Sequence, residues 1–129
     1  MKKFFLSILL ISQIGLAKDI ELGSYTAVDV ETGAIASTIL LRADKTVNFK
    51  VTTPDFTMPE PGCEGVYTVT ENKLAAELTC PISFLPNVRV EIDITDVTPE
   101  SVRSESGVVV PVIIDAFGTD AVPFVLRKK

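Results

Sequence analysis

The chain has 129 residues, 47% of them hydrophobic, with 12 Lys and Arg against 17 Asp and Glu for a net charge of −5, two cysteines, and neither histidine nor tryptophan. That length allows one domain with a real hydrophobic core. The missing histidine excludes Ser–His–Asp and Cys–His chemistry, and the acidic balance argues against nucleic acid or anionic membrane as partner, since both demand a basic patch.

Residues 1–17 read as a cleaved signal peptide. Lys2 and Lys3 form a positive n-region, Phe4 to Ile14 an apolar h-region, and Gly15-Leu16-Ala17 ends with small residues where a signal peptidase reads. The apolar run is far short of the roughly 20 residues that span a bilayer. Lys18, not Cys, follows the expected cut, which speaks against a lipid anchor. The protein is therefore expected to be exported, periplasmic or secreted, and not membrane-anchored. Its mature domain would be residues 18–129, where the loss of Lys2 and Lys3 leaves 10 basic against 17 acidic residues, or −7. The one basic cluster, Arg127-Lys128-Lys129, reads as a solvated tail.

After the leader the hydrophobic period is two, the period of a strand. Glu31-Thr32-Gly33 offers a turn with a glycine for positive φ. Ile39–Arg42 passes through Ala43-Asp44-Lys45-Thr46 into Val47–Val51, where Val47, Phe49 and Val51 alternate with polar residues. Val66–Thr70 joins Lys73–Thr79 through Glu71-Asn72, where Asn tolerates the left-handed conformation. Leu74, Ala76 and Leu78 form its apolar face. Val88, Val90, Ile92 and Ile94 give the cleanest alternation, and Phe124 and Leu126 mark the last strand after Gly118-Thr119-Asp120. Val108–Ile114 departs from alternation, so either both its faces are covered or one is an interface, and Pro111 inside it implies a bulge or an edge position. No amphipathic helix of useful length is found.

Short alternating strands at this spacing mean an all-β sandwich or barrel. An immunoglobulin-type sandwich would want distant cysteines with a Trp between them. Here Cys63 and Cys80 bracket one hairpin. The expected fold is a small closed antiparallel up-and-down barrel of about eight strands, which also removes edge strands. In an exported chain the cysteine pair reads as a disulfide. It would close a loop of about 17 residues and contribute roughly 3 kcal/mol in the chain-entropy model.

Three fragments resemble the small lipocalin-like barrels of bacterial envelopes, META-type and calycin-like. They are Gly23-Ser24-Tyr25, Leu41-Arg42-Ala43-Asp44-Lys45-Thr46-Val47, and Gly65-Val66-Tyr67-Thr68-Val69 followed by Asn72-Lys73-Leu74. Lys45 stands where the turn of those barrels often has Gly. The bacterial metalloprotease inhibitors built on a disulfide-bonded barrel are similar in size and compartment, but this chain lacks their tryptophan-bearing first strand. The resemblance implies a fold, not a function.

Candidate chemistry is sparse. Glu91 and Asp93 share a strand face, with Asp96 and Glu100 following, but on the polar side of a strand they read as a solvated face rather than an acid–base pair. Asp93, Asp96 and Glu100 lack the spacing and glycine of a calcium loop. No enzyme, cofactor or metal is expected. The candidate site is the pair of Pro-rich segments flanking the disulfide, residues 53–62 and 81–86, which carry Phe56 and Met58, and Phe84 and Leu85. Prolines lower the entropy lost on binding, so these four side chains are candidate contacts for a protein partner, the disulfide holding both loops at one barrel end. The competing reading folds them inward as a plug. The expected function is a non-catalytic binding protein, an inhibitor or envelope accessory factor. The alternatives are a small carrier of an apolar ligand inside the barrel, or a structural component that self-associates through Val108–Ile114. Tyr25, Phe49, Tyr67 and Phe124 are expected to fill the interior and leave a ligand little room.

Overall fold

The computed structural model of the protein describes residues 19–83 and 86–129. The expected signal peptide lies outside them, as do Phe84 and Leu85. The fold is all-β. Its strands are β1 (Gly23–Asp29), β2 (Ala36–Leu41), β3 (Thr46–Thr53), β4 (Phe56–Thr57), β5 (Cys63–Thr70), β6 (Lys73–Thr79), β7 (Asn87–Asp93), β8 (Val108–Ile114) and β9 (Val122–Lys128). Leaving β4 aside, each strand pairs antiparallel with the next, and β9 returns to β1, with Leu126 opposite Ala27 and Phe124 opposite Asp29. The result is a closed up-and-down barrel. β4 is only a short continuation paired with the end of β3, while β5 pairs with the first half of β3.

The alternation in the sequence is the alternation of the wall. Val47, Phe49, Leu74, Leu78, Val90, Ile92, Ile94, Phe124 and Leu126 are all buried inside, and Val51 is half-buried against them. Burying such side chains contributes about 1.5–3 kcal/mol each. In β8 the register resolves the ambiguous apolar run. Val110 and Val112 point in, whereas Val109 is 53% exposed. β8 pairs with β9 over Val108–Val112 but with β7 only over Val112–Ile114, so Pro111 occupies the edge position where a missing N–H does no harm.

Glu71, not Asn72, takes the left-handed conformation in the β5–β6 turn, with φ 54°. In the β2–β3 turn Lys45 does the same at φ 70°. That turn is held by Asp44, whose Oδ1 accepts from Thr46 N at 3.0 Å and Thr46 Oγ1 at 2.6 Å. Gly65 is required for a different reason: a Cβ there would run into the Glu77 carbonyl across the β5–β6 pair.

The β7–β8 connection carries a short helix, α1 (Pro99–Arg103), too brief to show as a helical period. Its capping box sets it. Thr98 Oγ1 accepts from Ser101 N at 2.9 Å, and Ser101 Oγ accepts from Thr98 N at 2.8 Å. The segment turns Val97 and Val102 into the core, where they close one end of the barrel.

Candidate functional site

Among the described residues the other end of the barrel is open, and an apolar cavity of about 240 Å³ reaches inward from it. Its deeper wall is Ile39, Phe49, Val90, Ile92, Val112 and Phe124. Nearer the opening the inward positions are small or branched: Ala27, Ser37, Val51, Val88 and the disulfide itself. Among the described residues Ser37 and Thr53 are the only lining side chains with a hydroxyl, and the wall is almost wholly apolar.

This corrects the expectation of a filled interior. The reason is the level at which each large residue sits. Tyr25 and Tyr67 are both at the closed end, so neither lines the cavity. The Tyr25 hydroxyl donates to Glu21 O at 2.7 Å, and the Tyr67 hydroxyl lies 3.4 Å from Arg42 O. Burial and then the nearby Glu21 charge push the Tyr25 phenol up to about 12. Phe49 and Phe124 do point inward, but as walls.

Four connections ring the opening, in residues 30–35, 54–62, 80–83 and 115–121. The first is fastened by Asp29, a buried carboxylate at the end of β1. Its Oδ1 accepts from Thr32 N at 2.6 Å and Gly33 N at 3.3 Å, and its Oδ2 from Thr32 Oγ1 at 2.7 Å and Ile35 N at 3.0 Å. The Thr32 hydroxyl and these backbone donors hold the carboxyl far below the usual carboxylate range. The same bonds place Ile35 at the rim.

The second connection folds back against β3. Met58 N donates to Val51 O at 3.1 Å, and Gly62 N to Pro59 O at 2.9 Å. Gly62 has φ 85°, and a Cβ there would sit 2.7 Å from Phe49 O, so this close return needs glycine. Outside the wall, Asn48 Nδ2 donates to Pro61 O at 2.7 Å and to Glu64 Oε2 at 2.7 Å. Glu64 also takes a two-bond contact from Arg42, at 2.9 and 3.0 Å, and these partners hold its carboxyl below the ordinary range. The Cys63–Cys80 disulfide ties this connection to the third.

Of the four candidate contacts, two are described. Phe56 is 38% exposed and Met58 is 8% exposed, and both line the cavity. Phe56 therefore stands at the rim while Met58 is part of the inner wall. Phe84 and Leu85 lie outside the described residues. Sequence reasoning missed Ile35, Ile82, Ile114 and Phe117, which complete the rim. Phe117, in a 3₁₀ turn over Asp115–Phe117, is 74% exposed. The signal was present in the overlong apolar run of β8, since Ile114 carries it to the mouth.

The carboxylates of β7 do not form a reactive pair. Glu91 is bonded to Arg89 at 3.1 Å and to Lys73 at 3.3 Å, and Asp93 accepts from Thr95 N at 2.9 Å. These partners hold both below the ordinary range, the reverse of what a general acid requires. Arg89 also bonds Glu77. Among the described residues no cluster of three or more His, Cys, Asp or Glu could hold a metal. Comparison of the chain with protein-family models, curated proteins and solved structures returned no match.

Proposed function

We propose that this is an exported, non-catalytic binding protein, acting in the periplasm or after secretion, that takes a small apolar group into the open end of a lipocalin-like barrel. The observation that carries the reading is the cavity, an apolar space of about 240 Å³ with an open mouth and an exposed aromatic at its rim. An engineered cavity of about 150 Å³ lined by Leu, Ile and Phe stays dry and binds benzene. A dry apolar wall has no water to hold and gains contacts from any apolar occupant. Burying six or seven methylenes supplies roughly 5–6 kcal/mol, between the millimolar and micromolar marks.

The test is titration of the disulfide-bonded protein with an uncharged apolar fluorophore such as N-phenyl-1-naphthylamine. Saturable binding is expected, weakened at least about tenfold by Ser37→Phe, which fills the cavity from the wall of β2. Absence of saturable binding, or binding indifferent to Ser37→Phe, rejects the reading. A second reading, contact of the rim with a protein partner, is favoured by Phe117 and Phe56 being exposed together at one end. In that case Phe117→Ala weakens the partner while Ser37→Phe does not.

A further inference from the structure

We infer that the occupant is a cationic amphiphile, whose apolar tail enters the barrel while its positive head remains among carboxylates at the rim. This rests on the proposed carrier reading and adds the chemistry of the head group. The four connections around the opening contain Glu31, Asp55, Glu60, Asp115 and Asp120, and no Lys or Arg. All five acidic residues are exposed. Their places follow from their neighbours. Asp55 stands between Thr53 and Phe56, and Asp115 between Ile114 and Phe117, four residues that line the cavity. Asp120 follows in the same connection as Phe117, and Glu31 lies in the one that ends at Ile35.

Cations neutralise only part of this end. Lys50 reaches Glu60 at 2.8 Å, and Arg89, whose backbone N–H donates to Asp115 Oδ1 at 3.0 Å, turns its side chain to Glu77 and Glu91 on the outer wall. Arg42, Lys45, Arg103, Lys128 and Lys129 belong to the closed end, where Lys45 and Lys128 lie 5.5 Å over the rings of Tyr67 and Tyr25. The opening is thus acidic in Glu31, Asp55, Asp115 and Asp120, above a wall that offers no ion a partner.

An anionic head fails at both levels. Inside, it loses its hydration against an apolar wall. At the rim it meets like charges. A cationic head can stay hydrated and take the summed attraction of four carboxylates. Each exposed pair is weak alone, but one sign of charge around a low-dielectric mouth focuses the field on it.

The experiment compares three amphiphiles of one chain length below their micelle concentrations, decylammonium, decyl glucoside and decanoate, each displacing N-phenyl-1-naphthylamine from the disulfide-bonded protein. In roughly 20 mM salt, decylammonium is expected to displace at about tenfold lower concentration than decanoate. The ratio should fall several-fold in about 0.5 M salt, where charges farther apart than a few ångströms are screened. The variant E31Q/D55N/D115N/D120N should abolish the ratio and leave decyl glucoside unchanged. Decanoate equal to or better than decylammonium overturns the inference, as does a preference for decylammonium that is insensitive to salt. Salt dependence of the natural protein decides the matter if the variant folds poorly. Failure of all three amphiphiles and of the fluorophore rejects the carrier reading itself, which is a different outcome from loss of charge preference.

Discussion

The two ends of this barrel share strands and register yet are built to opposite purposes. At the closed end, Tyr25, Tyr67, Leu41, Leu74 and Ile94 are buried, and the α1 segment adds Val97 and Val102 to them. A hydrogen bond from the phenol of Tyr25 and an ion pair from Arg103 to Glu21 at 2.7 Å fasten that closure. At the open end the inward positions are Ala27, Ser37, Val51 and a disulfide, and among the described residues no crossing segment covers them. The difference teaches that a small closed barrel is not filled by its strands alone. Side-chain size at each level, and one crossing connection, decide which end holds space.

The comparison predicts unequal responses to truncation. Leu74→Ala removes a side chain with almost no exposure and should cost about 3–5 kcal/mol, whereas Val51→Ala at the mouth should cost about 1 kcal/mol or less because its neighbours already leave space. Denaturant unfolding measures both, and equal losses would break the contrast. Next in size is the disulfide. The double variant C63S/C80S should lose roughly 3 kcal/mol and bind the apolar fluorophore more weakly, while the α1 end keeps its amide protection against hydrogen exchange.

Alkali and acid should loosen opposite ends. Tyr25 stays protonated in the folded protein up to about 12, whereas an unfolded tyrosine ionises near 10. Its contribution to stability is therefore present below pH 10 and lost as pH rises toward 12, and Tyr25→Phe should blunt that loss. Asp29 titrates far below its unfolded value of about 3.9. Its contribution is present above that value and lost as pH falls below it. Amide exchange at Gly33 and Ile35 should accelerate first in acid, and Asp29→Asn should remove that pH dependence. The smallest effect on stability belongs to the rim. Phe117→Ala should stay within about 0.5 kcal/mol of the natural protein while weakening fluorophore binding several-fold.

Much of the ring was legible because period-two alternation fixes which face is wet, and a slip of one residue would invert every strand. Val88, Val90, Ile92 and Ile94 carried that signal without interruption, and turn residues marked the breaks. The cysteine pair placed one end of the β5–β6 hairpin correctly. The cavity was not legible, because alternation says which way Tyr25 and Phe49 point but not at which level of the barrel each arrives. Level depends on strand stagger, which a linear pattern does not encode. For Met58 the prolines left two readings open, a partner contact on an exposed loop or a side chain folded inward. In fact the return through Gly62 folds it under the rim. The helix α1 escaped because five residues are too few to show a period.

The pairing of β9 with β1 brings Leu126 beside Ala27, across nearly the whole length of the folded chain. Ring closure is consequently its longest-range strand pairing, and such contacts slow folding. Until β9 docks, the sheet is an open ribbon whose two free edges, β1 and β8, present unpaired backbone beside apolar side chains. A chain held at that stage is poised to pair with another copy of itself. Capture of the final strand ends that exposure along β1 and along the β9-facing side of β8 in one step.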